Sequence, residues 1–101
     1  MAADFGRRFD DLCKQADAID ASKKWEGGTF SGNRVDRNEL LNWKVKVRHL
    51  LASVCGESSQ HFTQFVANEE GSMYTTNYEI FLKLRAVLMA AKDDYEGGLS
   101  E

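Results

Sequence analysis

The stretch Asp36-Arg-Asn-Glu-Leu-Leu-Asn-Trp-Lys-Val-Lys-Val-Arg-His-Leu-Leu-Ala-Ser-Val-Cys-Gly56 decides the fold. Its apolar residues Leu40, Trp43, Val47, Leu50 and Val54 recur three and four apart, the period of an amphipathic helix. Asp36 stands where an N-cap belongs, and Glu39 three residues on makes the start resemble a capping box. Gly56 supplies the stop. Together with Leu51, the five apolar side chains span about 100° of the helix surface. Leu41, Val45 and Ala52 project from a second strip, roughly opposite. A helix that is apolar on two sides is central to its bundle or shares one side with a partner. This segment is therefore the organising helix.

The flanking sequence repeats the helical period. Phe5, Phe9, Leu12, Ala16 and Ile19 form one stripe, with Arg7, Arg8, Asp10, Asp11, Lys14, Gln15 and Asp17 off it, and the helix should fade near Lys23–Lys24. Ser58 or Ser59 can cap a short helix carrying Phe62, Phe65 and Val66, which should end by Gly71. Thr76-Asn-Tyr-Glu79 fits a capping box and opens a last helix through Phe81, Leu84, Leu88, Ala91 and Tyr95, closed by Gly97-Gly98. Between the first two helices, Trp25-Glu-Gly-Gly-Thr-Phe-Ser-Gly-Asn-Arg34 is rich in glycine yet holds two large aromatics. Trp25 and Phe30 need somewhere to bury their rings, so an ordered connection packed back on the bundle is expected. No stretch alternates with the two-residue period of a hairpin. The expectation is an all-α fold, a small bundle of about four helices, antiparallel or irregular, forming a single domain over residues 1–101.

Composition narrows the function classes. A chain of 101 residues, 43% hydrophobic and 29% charged, is neither a disordered tail nor a membrane protein. No apolar run nears the ~20 residues that cross a bilayer. The start lacks the apolar stretch of a secretory signal, so a cytoplasmic setting is expected. A net charge of −3 argues against a generic nucleic-acid binder, though not against a local basic patch. Cys13 and Cys55, far apart and outside any CxxC, read as reduced, small apolar residues.

Chemistry-bearing motifs are missing. His49 and His61 are the only imidazoles, and each reads as a surface or boundary residue. With Cys13 and Cys55 they would meet as zinc ligands only by accident of packing. The neighbouring acids Asp10-Asp11, Glu69-Glu70 and Asp93-Asp94 point about 100° apart on a helix and do not converge on one atom. Gly27-Gly28 and Gly32 lack the Lys-Ser/Thr that closes a phosphate loop. The chain is not expected to be an enzyme, and no metal or cofactor is expected.

One charge feature is asymmetric. Arg37, Lys44 and Arg48 project within about 40° of one another along one flank of the organising helix, with Arg34 just before it. Such a row can meet phosphates or an acidic partner, or it can be an ordinary surface row neutralised by acids of the first or last helix.

The segment from Asp36 to Gly98 resembles a small helical domain of bacterial and prophage-encoded proteins. The likeness is carried by Trp43, the Leu50-Leu51 pair seven residues on, the turn Gly56-Glu-Ser-Ser59, and the spaced Phe62 and Phe65. The tail Ala90-Ala-Lys-Asp-Asp-Tyr-Glu-Gly-Gly98 is similar to the point where that domain hands over to a C-terminal helical domain. That second domain is sometimes of HEPN type and sometimes linked to phage defence. Here the chain stops shortly after Gly98, which implies a free-standing version of the module. The HEPN ribonuclease signature, Arg, four to six residues, then His, has no match. Lys44 lies five before His49 and Trp43 six before it.

The leading expectation is a non-catalytic interaction or regulatory module that binds a protein, itself included, through Leu41, Val45, Ala52, Trp25 and Phe30. Two alternatives remain. One is a stand-alone inhibitor of a host defence complex, by analogy with anti-CRISPR proteins. The other is a nucleic-acid-binding accessory protein that uses Arg34, Arg37, Lys44 and Arg48, with Trp25 as a stacking platform.

Overall fold

A computed structural model describes residues 4–28, 31–72 and 75–98. In chain order these form α1 (Phe5–Ala21), β1 (Lys24–Glu26), β2 (Gly32–Arg34), α2 (Arg37–Val54), α3 (Gln60–Ala67) and α4 (Asn77–Glu96). The protein is an all-α bundle carrying one small antiparallel hairpin, in which Lys24 pairs with Arg34, Trp25 with Asn33 and Glu26 with Gly32.

Each helix begins where a short polar side chain can accept the amide groups that a helix start leaves unpaired. Asp4, Asp36, Ser59 and Thr76 accept from Arg7, Glu39, Phe62 and Glu79, respectively. At α4 the capping box is complete, because the Glu79 carboxylate also accepts the Thr76 N–H at 2.8 Å. Caps of this kind are each worth about 1 kcal/mol. Gly56 ends α2 with φ at +90°, a conformation that other residues avoid.

The stripes meet in one core. Phe9, Leu12, Ala16 and Ile19 of α1 face Leu40, Trp43, Val47, Leu50 and Leu51 of α2 and Phe81, Leu84, Leu88 and Ala91 of α4, with Phe65 of α3 beneath. Trp43 is fully buried at the centre, 5.1 Å from the Phe81 ring and 6.4 Å from that of Phe65. Its indole N–H donates to the Leu12 carbonyl at 3.0 Å, so the polar atom of the largest core side chain is satisfied. α1 and α4 run antiparallel. The Tyr95 ring, near the end of α4, meets Phe5 and Phe9, while Tyr78, near its start, bonds Asp20 at the end of α1.

The hairpin corrects the expectation that no strand would form. Its strands of three residues are too short to display an alternating pattern, and tertiary contacts hold it. Asn77, the first residue of α4, accepts the Val35 N–H at 3.0 Å and donates to the Val35 carbonyl at 2.7 Å. Gly32 lies so near the buried Thr76 that a Cβ there would come within 2.9 Å of its methyl group. The two strands of the connection are thus paired, and β2 is seated on the start of α4. The Trp25 ring, however, does not pack back on the bundle. β1 is the outer strand, and Trp25 is 67% exposed. No helix among the described residues is long and apolar enough to cross a membrane.

Candidate interaction surface

Seating the Leu40–Trp43–Val47–Leu50–Leu51 face of α2 in the core turns the second strip outward, because the two faces are ~150° apart around the axis. Leu41 and Val45 are each 55% exposed. Ala52 is half-buried and shares a shallow cleft with Val45, Arg48, His49, Glu57 and Phe62 of α3. Leu41 lines a neighbouring cleft with Arg37, Lys44, Glu69 and Ile80. The three strip residues therefore form a row along α2, with α3 on one side.

Of the two aromatics expected at an interface, Trp25 stands on the hairpin, exposed and away from the core. Phe30 lies outside the described residues.

The basic residues do not form one free row. Arg34 pairs with Glu26 across the hairpin at 2.9 Å. Arg48 forms an ion pair with Glu69, whose carboxylate also lies 4.0 Å from Lys44. The neutralising acid thus comes from the segment after α3, not from α1 or α4. Among the described residues, Arg37 has no carboxylate at ion-pair distance.

The residues with catalytic potential remain apart. His49 is exposed. His61 Nε2 sits 2.7 Å from the Asp94 carboxylate, tying α3 to α4. Cys13 and Cys55 are free and half-buried, and burial pushes both thiols up from the ordinary cysteine range. The Cys13 Sγ lies 3.5 Å from Met89 Sδ. No group of three His, Cys, Asp or Glu able to hold a metal occurs among the described residues.

The sequence pattern did not reveal a polar network between α1 and α4. Tyr78 donates its hydroxyl proton to Asp20 at 2.6 Å, and Arg85 pairs with Asp17 and approaches Asp20 at 3.9 Å. The Tyr78 bond, helped by Lys23 and Arg85, holds the Asp20 carboxyl below its usual range. The same bond holds the Tyr78 hydroxyl above its own. Leu82 and Met89, seven apart on α4, are exposed as well. Their spacing, off the buried stripe, was the available signal. No family model, curated protein or solved structure matches this chain.

Proposed function

We propose that the chain is a non-catalytic interaction module that binds a protein through the outward strip of α2. The observation that carries this reading is the 55% exposure of both Leu41 and Val45 in the middle of a helix whose other face is fully buried. Contiguous apolar residues left open on a small domain mark interaction sites more often than scattered ones do.

Val45→Asp tests it. The substitution puts a charge at an exposed helix position, so the circular dichroism spectrum stays unchanged and stability falls by less than about 1 kcal/mol. Association with a protein partner is expected to vanish. Association that survives V45D with the fold intact overturns the reading.

One observation favours a second reading. Trp25, 67% exposed on the outer strand of the hairpin, offers an open ring for base stacking. Fluorescence anisotropy with single-stranded oligonucleotides decides. The reading requires micromolar or tighter binding that weakens steeply from low to moderate salt and is lost in Trp25→Ala. Binding that ignores salt, or none at all, refutes it.

A further inference from the structure

We propose that the occupant of the α2 strip is an amphipathic helix whose apolar face is flanked by carboxylates. The inference rests on the reading of that strip as a protein-binding face and adds the chemistry of its partner. From Leu41 to Ala52 the row extends about 16 Å along α2, at 1.5 Å per residue, which matches about three turns of a second helix. Phe62 of α3 borders the row beside Val45 and Ala52, so the surface is a trough against which a helix can lie.

Charge selects the partner. Arg37, Lys44 and Arg48 run alongside the apolar row, about 60° around the helix axis. Glu69 answers Lys44 and Arg48 with a single carboxylate, and Arg37 has none at ion-pair distance among the described residues. The acids that share its clefts, Glu26 and Glu69, are engaged by Arg34 and by Arg48. Glu57 enters the cleft only at its far end, beside His49. That flank is therefore short of negative charge, although the whole chain carries −3.

A second copy of the chain does not supply what is missing. In a two-fold antiparallel pairing of the α2 strips, like flanks meet, and the three cations face themselves. In a parallel pairing they face Asn38, Asn42 and His49, which bring no carboxylate. Glu39, the one acid of α2, projects about 140° around the axis from the strip. The exposed acids of the other long helices, Glu79 of the capping box aside, are Asp10, Asp11 and Asp17 of α1 and Asp93, Asp94 and Glu96 of α4. Docking one of those helices on the strip is a head-to-tail contact that leaves the next strip open, so growth does not stop at a dimer. A helix from another protein, with carboxylates beside its apolar stripe, satisfies both the trough and Arg37.

The test is a displayed library of helical peptides with a fixed leucine stripe and flanking positions drawn from Glu, Lys and Gln. The library is selected on the whole chain and counter-selected on Val45→Asp. The expected binders carry Glu on one flank and do not bind V45D. Their affinity drops about tenfold on Arg37→Glu, as loss of a complementary charge at an interface predicts. Binders that are lost on V45D but carry Lys or Gln overturn the carboxylate preference and leave the strip as a binding face. Failure to recover any binder that distinguishes the chain from V45D overturns both. Concentration-dependent assembly of the chain alone that V45D abolishes would put a second copy in the trough and overturn the acidic helix.

Discussion

Removing the amide of Asn77 should unfasten the hairpin from α4. The Asn77 side chain closes a two-bond ring with the backbone of Val35, accepting at 3.0 Å and donating at 2.7 Å. Val35 is buried, so in Asn77→Ala both its N–H and its carbonyl lose their partners where water has little access. Leaving a buried polar group unpaired costs about 1–3 kcal/mol. Incomplete burial of the bonds places the sum for the pair near 2–3 kcal/mol on the same scale. For a domain of this size each kcal/mol moves the midpoint by about 4–8 °C, so N77A should melt about 10–20 °C lower. Asn77→Asp separates the two bonds. It keeps an acceptor for the Val35 N–H but sets a second oxygen against the Val35 carbonyl. It too should be destabilised, although a negative charge at a helix start favours it by about 0.3–1 kcal/mol. Urea unfolding followed by circular dichroism measures both variants. An N77A midpoint within about 0.5 kcal/mol of the parent refutes the argument that this clamp holds the hairpin, since that is the size of an ordinary surface change.

Other expectations follow from the packing. Trp43→Phe removes the indole bond to the Leu12 carbonyl and part of the ring that fills the centre, so denaturant unfolding should show a loss of about 1–3 kcal/mol. Gly32→Ala drives a methyl group against the side chain of Thr76, so it should destabilise the chain and alter the amide resonances of Thr76 and Glu79. Asp20 has a depressed carboxyl, so its contribution is present above the unfolded carboxylate value near ~4 and is lost as pH falls through the lower folded value. Tyr78→Phe removes the main cause. The stability difference between parent and Y78F, measured by urea melts, should therefore be fully present at neutral pH and shrink below about pH 4. A difference that widens on acidification contradicts this assignment.

The helical architecture was legible because its determinants are local. Asp36, Ser59 and Thr76 sit where capping chemistry places them, and every residue assigned to the α1 and α4 stripes is buried or packed against the core. The two-faced pattern of α2 also read through, since one apolar face fixes the direction of the other. The hairpin did not, because three-residue strands carry no period and their register depends on Asn77, over forty residues downstream. The exposure of Trp25 escaped for the same reason. A large ring suggests burial, but only the seating of β2 on α4 decides which strand faces out. The pairing of Lys44 and Arg48 with Glu69 was equally out of reach. A charged row identifies a flank, while the acid that answers it is chosen by how α3 and its exit fold over α2.

Site-specific photocrosslinking in the producing cell identifies what touches the α2 strip. A benzophenone amino acid is placed at Leu41 on the strip and, as controls, at the exposed Lys14 of α1 and Asp93 of α4. A binding strip gives a discrete protein adduct from position 41 that disappears when Val45→Asp is added, with no matching adduct from positions 14 or 93. Equal adducts from all three positions, or an adduct from position 41 that V45D leaves unchanged, would contradict the assignment of the α2 strip as the binding face.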